Sequence, residues 1–305
     1  MSATLMIFGY GFSAAAFAER MRARGFDIIA TCRSAEKAAR LRAQGITPLI
    51  FDGSAPARGD DITVEEALSR ATHLLSSVPP GPDGDPVLTH HADLIRGAPP
   101  FDWTGYLSTT GVYGDRDGDW VDEESALEPT GERGARRVQA EQAWFSLGDC
   151  GPVMSFRLAG IYGPGRSALD TVRQGRARRV AKRGQVFSRI HIADITATLE
   201  AAVDHQQAGD PKVGHPRTGV AYNVCDDEAA PPQDVIAHAC DLLGVEPPPE
   251  IPFEEAELSD MAKSFYRDNK RVRNDRIKRE LGVRLTYPTY REGLAAQLAA
   301  EAPNG

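Results

Sequence analysis

This sequence predicts an α/β fold: a doubly wound parallel sheet followed by a smaller mixed domain. Three observations carry it. The chain opens with a short apolar run, Thr4-Leu5-Met6-Ile7-Phe8, that passes directly into Gly9-Tyr10-Gly11-Phe12-Ser13-Ala14. The first half then alternates short apolar or β-branched runs with helical segments, and strands separated by helices pair in parallel through right-handed crossovers. After about residue 160 the alternation weakens, and Pro- and Arg-rich stretches take over.

Taken in order, Leu5 to Phe8 is the first strand, the glycines form a turn, and a helix opens at Phe12-Ser13. Asp27 to Thr31 is the second strand. Ser34 caps a helix that runs to Gln44 with Gly45 past its end. Ile46 to Phe51 is a strand, Val64 to Arg70 a helix, Thr72 to Val78 a strand closed by Pro79-Pro80-Gly81, and Pro86 to Arg96 a helix. Trp103 to Thr109 is the fifth strand, Gly134 to Leu147 a helix and Val153 to Leu158 the sixth strand. Beyond these the sequence predicts an Arg-rich helix over Leu169 to Arg179, a helix from Ile192 to Asp204, a strand at Val220 to Cys225 and helices at Pro232 to Leu243, Asn274 to Leu281 and Tyr290 to Glu301. Residues 1–160, completed by 188–226, form the expected first domain; 161–187 and 227–305 form a smaller lid.

Ligands bind such sheets beyond the carboxyl ends of the strands, so the loops after Phe8, Thr31, Phe51, Val78, Thr109 and Leu158 matter most. Gly9, Gly11 and Ala14 fit G-x-G-x-x-A, the dinucleotide fingerprint of a Rossmann-type domain. Gly9 permits the tight turn, Gly11 lets the backbone approach a pyrophosphate, and Ala14 lets the helix pack against the strand. Residues Gly9 to Ser13, with Tyr10 and Phe12 between them, then present helix-start N–H groups to the phosphates. The second strand ends in Thr31-Cys32-Arg33-Ser34, with Lys37 one turn on. No acid stands there to take a ribose 2′-hydroxyl. Arg33, aided by Ser34 and Lys37, suits a 2′-phosphate, which favours NADP over NAD. Asp52 either accepts from the adenine amino group or simply starts a loop. Val78 and Pro79 either touch the nicotinamide side or stiffen their loop.

The chain has 305 residues and a formal net charge of −8, which argues against general nucleic-acid binding. No apolar run approaches a membrane span and no signal segment is evident, so a cytoplasmic protein is expected. The four cysteines lack C-x-x-C spacing and read as reduced, buried thiols. His90-His91 has no partner set for a metal, and the acids of Asp115 to Asp119 lack the closing Glu of a calcium loop, so no metal is expected.

Ser108-Thr109-Thr110-Gly111-Val112-Tyr113-Gly114, Arg157-Leu158-Ala159-Gly160-Ile161-Tyr162-Gly163-Pro164-Gly165, Arg189-Ile190-His191-Ile192-Ala193-Asp194 and Tyr222-Asn223-Val224 follow one another along the chain. Together they resemble the extended short-chain dehydrogenases/reductases, the NAD-dependent epimerase/dehydratase group. The resemblance covers nearly the whole chain and implies a nicotinamide cofactor, a small-molecule substrate and a homodimer. Two departures stand out. An earlier family glycine is replaced by Phe8. The family's Y-x-x-x-K is also missing: counting back from Ala140-Glu141 puts Arg133 at the Tyr position and Arg137 at the Lys position. This resembles the atypical subgroup that keeps the fold and loses the tyrosine.

By the match, Thr109 takes the substrate-orienting hydroxyl role, and Arg137 holds ribose hydroxyls as the Lys would. Arg133 stays protonated near neutral pH, so it polarises a carbonyl or holds an anion rather than moving a proton. Tyr113, then Tyr162, then His191 are the candidate proton carriers, and each also has a structural reading. Tyr162, Arg189 and His191 belong to the expected substrate side. The basic run Arg173, Arg176, Arg178, Arg179, Lys182 and Arg183 is either a solvated helix face or a site for a phosphorylated or carboxylated substrate such as a nucleotide sugar. Two functions follow: an NADP-binding oxidoreductase or epimerase-like enzyme on a small polar compound, or an NADP-binding regulatory protein without chemistry.

Overall fold

The computed structural model describes residues 3–208 and 219–301. In chain order its strands are β1 (Thr4–Phe8), β2 (Asp27–Cys32), β3 (Thr47–Ile50), β4 (His73–Ser76), β5 (Trp103–Thr109), β6 (Trp120–Val121), β7 (Val153–Leu158), β8 (Gly160–Tyr162), β9 (Arg179–Ala181), β10 (Arg189–His191), β11 (Val220–Val224), β12 (Glu250–Pro252) and β13 (Arg271–Val272). The α-helices are α1 (Phe12–Ala23), α2 (Ala35–Ala43), α3 (Val64–Arg70), α4 (Pro86–Gly97), α5 (Glu132–Phe145), α6 (Ala168–Arg173), α7 (Ile192–Ala208), α8 (Pro232–Leu243), α9 (Asp260–Phe265), α10 (Asp275–Glu280) and α11 (Tyr290–Glu301).

Seven strands form the parallel central sheet in the order β11-β7-β5-β4-β1-β2-β3. The order reverses at β1, whose two neighbours are β2 and β4, and that reversal opens a crevice at its carboxyl end. β1 and β4 are buried along their whole length because helices cover both sheet faces, which is why they read as continuous apolar runs. The helix starts follow local chemistry. Ser34 caps α2, Thr63 and Glu66 form a capping box on α3, and Asp85 caps α4 ahead of Pro86.

By internal contacts the chain divides into two compact units. The first holds residues 1–109, 135–157 and 196–222; the second holds 110–134, 158–195 and 223–305. The second unit therefore takes the loop after β5 and the β8–β10 region, whereas the sequence places the domain boundaries at about 160, 188 and 226. Its core gathers Tyr162, Leu169, Val235, Ala239, Tyr290 and Leu294 from β8, α6, α8 and α11. Three two-stranded parallel pairs, β8–β10, β9–β12 and β6–β13, complete it. These pairs were not expected from the sequence: each strand is two or three residues long, too short to show a period.

The Arg-rich helix expected over Leu169 to Arg179 stops at Arg173. Gly175 takes a φ of 64°, the Gly175 N–H bonds the Val172 carbonyl and the Arg176 N–H bonds the Thr171 carbonyl, a Schellman stop. The basic run is consequently no single helix face. Arg173 pairs with Glu301, Arg178 donates to the Glu257 carbonyl, and Arg179 lies in β9 and pairs with Glu250. Among the described residues no helix is long and apolar enough to cross a membrane. All four cysteines are buried and unbridged.

Candidate functional site

The first unit concentrates its candidates around the β1–α1 turn. Gly9 has a φ of 87°, and a Cβ built there would lie 3.0 Å from Val78 Cγ2 and 3.3 Å from the Ser77 and Val78 backbone. The turn therefore needs glycine twice over, for the left-handed backbone and for the close passage of the chain leaving β4. Val78 is thus brought against the turn; Pro79, next to it, is exposed. Thr31, at the end of β2, holds the turn from the other side. Its Oγ1 accepts from the Gly9 N–H at 2.8 Å, and its carbonyl accepts from the Tyr10 N–H at 2.9 Å.

Gly11 is the N-cap of α1 and, lacking a side chain, supplies no acceptor to the first-turn N–H groups. Its φ of −96° is ordinary, and a Cβ placed on it meets no heavy atom within 4 Å. The protein itself does not require glycine at this position. The space beside Gly11 is open, and the helix start carries the positive end of its dipole. Phe12 is 38% exposed beside it, and Ser13 is buried.

Lys37 reaches back from α2, and its Nζ donates to the Tyr10 carbonyl, with the ammonium 5.6 Å from the Tyr10 ring centroid. Ser34 Oγ accepts from the Lys37 N–H at 3.3 Å, so its own proton stays available to a ligand. Arg33 is exposed and has no ion-pair partner among the described residues. Asp52 is exposed, and its Oδ1 accepts from the Ser54 N–H at 2.9 Å and the Ser54 hydroxyl at 2.7 Å, bonds that hold its carboxyl below the usual range. That is loop-starting geometry.

Two strands along the same carboxyl edge of the sheet, Arg137 projects from α5. Its Nη1 donates to the Leu107 carbonyl at 2.6 Å and to Tyr106 Oη at 3.0 Å. This anchors the guanidinium at the carboxyl end of β5, where half-buried Thr109 closes the strand. Burial raises the Tyr106 pKa, so its phenol stays neutral. Ser76 and Ser108, at the ends of β4 and β5, have buried hydroxyls without hydrogen-bond partners. Glu141, of the Ala140-Glu141 pair used for alignment, is buried against Arg157 at 2.9 Å.

The second unit holds the remaining candidates. Arg133 is exposed at the start of α5. Tyr113 is fully buried, and its hydroxyl donates to Asn223 Oδ1 at 2.7 Å. That hydroxyl is turned into the interior. His191 is buried, and its Nδ1 accepts from the Ala193 N–H at 3.2 Å, which fixes the β10–α7 junction. Burial pushes its pKa down to about 4, so the ring is neutral at pH 7. Tyr162 donates to the Thr289 carbonyl at 3.3 Å, and its ring meets His191 edge to face.

Tyr162 and Arg189 both line a cavity of about 510 Å³ between α6, α8 and α11. Arg189 Nη1 donates to the Phe187 and Ala230 carbonyls at 2.8 and 3.1 Å. Arg176 and Arg178 of the basic run also reach this cavity; His191 does not line it.

Sequence reasoning missed Thr31, Tyr106 and the tether from Lys37 to the Tyr10 carbonyl. A Thr closing a strand beside a glycine turn was the one available signal for the first. Among the described residues no group of three or more His, Cys, Asp or Glu side chains is arranged to hold a metal.

No protein-family model matches the chain. A 3-diazoavenalumate denitrifying reductase from a Streptomyces species is 25% identical over 314 residues, 85% of this chain and 94% of that protein. Among solved structures, a functionally unknown conserved protein from Silicibacter pomeroyi DSS is 48% identical with a TM-score of 0.84, over 98% of this chain and all of its own. A Methylobacillus flagellatus protein assigned as an NAD-dependent epimerase/dehydratase has a TM-score of 0.71 at 25% identity, over 98% of both chains.

Proposed function

This chain belongs to the extended short-chain dehydrogenase/reductase family, the NAD-dependent epimerase/dehydratase group, and from that premise we propose that it is an NADP-dependent oxidoreductase or epimerase/dehydratase-type enzyme. Its substrate is a small polar carbonyl or alcohol compound bearing negative charge, a class that includes nucleotide sugars. One observation carries the cofactor reading: the α1 N-terminus is capped by a glycine whose Cβ direction is open, with Lys37 tied to the same turn.

The residues fit the group. The first-turn N–H groups of α1 take the pyrophosphate, and Arg33 with the Ser34 hydroxyl takes the 2′-phosphate. Lys37, already bound to the Tyr10 carbonyl, adds positive charge there. A bound nicotinamide supplies or accepts a hydride. Arg137, held by β5, keeps nitrogen donors for ribose hydroxyls, and Thr109 orients the substrate oxygen. Arg133 is a fixed positive charge that holds an anion or polarises a carbonyl without giving up a proton. The reductase activity of the Streptomyces relative supports reduction as the reaction type.

Titration with NADPH and NADH, followed by cofactor fluorescence, tests this. Arg33→Ala is expected to weaken NADPH binding by roughly 10- to 100-fold, the value of a charge-assisted contact, while NADH binding holds. Equal losses would remove Arg33 from the 2′-phosphate. Substrate-dependent NADPH oxidation, lost in Thr109→Ala, tests turnover. A second reading, an NADP-binding regulatory protein, is favoured by the Arg at the tyrosine position and by the inward-turned Tyr113 hydroxyl.

A further inference from the structure

The cavity of the second unit contains a cation that the protein does not neutralise. Four arginines line it, Arg166, Arg176, Arg178 and Arg189, against one acid, Asp170. That acid is already engaged, accepting from the Ser167 N–H at 2.9 Å and from the Ser167 hydroxyl at 2.7 Å. Arg166, Arg176 and Arg178 are exposed. Arg189 is the inner one. Among the described residues no carboxylate lies within ion-pair distance of it, and both its hydrogen bonds use Nη1. Those two carbonyls fix the plane of the guanidinium and leave the Nε–Nη2 edge for a ligand.

The nearest acid in effect is Asp226, and it is a poor counter-ion. Burial pushes its pKa up to about 8, and no ion pair joins its carboxyl to the guanidinium. Its Oδ2 is buried without a hydrogen-bond partner. Tyr290 lies under the same guanidinium, 5.9 Å from ring centroid to Cζ, and lines the cavity. It is fully buried, and its hydroxyl too lacks a partner. A half-buried guanidinium without an acid partner and an unbonded buried phenol both leave hydrogen-bonding capacity that a ligand would complete. One wall is apolar, with Val235 and Ile236 from α8 and Leu294 from α11, while Ser167, Thr171 and Gln174 of the α6 segment line another part.

We propose that this cavity binds a small organic acid, its carboxylate seated side-on against the Arg189 guanidinium and its apolar body against Val235, Ile236 and Leu294. The planar two-donor edge of a single inner arginine matches a carboxylate, which accepts two parallel bonds in its own plane. The outer arginines draw the anion in. This rests on the enzyme reading given above and names the substrate class for it. The binding step itself needs no cofactor.

The test uses the full chain without cofactor, titrated calorimetrically with cinnamate, its neutral amide cinnamamide, phenyl phosphate and UDP-glucose. Cinnamate is expected to bind at least about tenfold more tightly than cinnamamide, the worth of a hydrogen bond to a charged group. Arg189→Met is expected to remove that preference, and Leu294→Trp, which fills the apolar side, to weaken cinnamate and cinnamamide together. Circular dichroism and thermal unfolding show that both variants are folded, and NADPH titration tests the cofactor reading separately: cinnamate binding without NADPH binding sinks the enzyme reading and spares the cavity. Equal affinity for cinnamate and its amide, a preference for phenyl phosphate or UDP-glucose, or cinnamate binding unchanged in both variants would overturn the proposal.

Discussion

Gly9 and Gly11 stand two residues apart in one turn, yet the structure gives their glycines opposite reasons. Replacing Gly11 by Ala puts a methyl group where no protein heavy atom lies within 4 Å, at a φ of −96° that alanine adopts freely. Loss of a glycine N-cap costs a few tenths of a kcal/mol to about 1, and the stiffer unfolded chain returns about 0.4–1, so stability should barely change. A phosphate approaching the α1 N–H groups meets that methyl directly. Displacing two charge-assisted bonds costs roughly 3–6 kcal/mol, at least about a hundredfold in Kd. Gly9→Ala differs. Its φ of 87° costs a non-glycine residue roughly 1–2 kcal/mol, and the contacts with Val78 and the Ser77 backbone add to it. Urea denaturation should show Gly9→Ala clearly destabilised and Gly11→Ala near wild type, while NADPH fluorescence titration shows Gly11→Ala unable to bind. NADPH bound normally by Gly11→Ala, or equal stability losses in the two variants, would refute the assignment of this helix start to the pyrophosphate.

Two further outcomes follow from the second unit. A Cβ on Gly293 would collide with Tyr162 Oη and lie 2.8 Å from its ring carbons; Gly293→Ala should cost about 1–3 kcal/mol in urea denaturation. Tyr162→Phe in that background should recover part of the loss, and no recovery would place the strain elsewhere. Asp226, with a folded pKa of about 8 against an ordinary 3.8, binds a proton on folding throughout that window, so its contribution to stability falls as pH rises from about 4 to 8. Asp226→Asn, which cannot ionise, should gain on wild type progressively between pH 5 and pH 8, and a constant difference would show that the carboxyl ionises normally.

Much of the first unit was legible because its signals are local. An apolar run, two glycines and a helix start announce β1, the turn and α1; Ser34 and Pro86 mark helix starts through chemistry confined to three or four residues. The second unit was less legible for the complementary reason. Strands of two or three residues carry no period, and α6 ends through a glycine stop inside a run of arginines that otherwise suits a helix.

What the sequence by itself determined is the doubly wound fold class, the glycine turn and the absence of a tyrosine between Tyr113 and Tyr162. These depend on residue type and on neighbours along the chain. Only the tertiary structure decided that Tyr113 points into Asn223, 110 residues away, and that Lys37 bonds a carbonyl 27 residues before it. It likewise decided that Arg189 sits in a cavity beside Tyr290 without an acid to match it. Those facts depend on strand register and helix packing, which bring together groups remote in the chain, and on how much water remains around them. No local pattern encodes burial of that kind, and it is burial that holds His191 neutral, pushes the Asp226 pKa up and leaves Arg189 a cation in want of a partner.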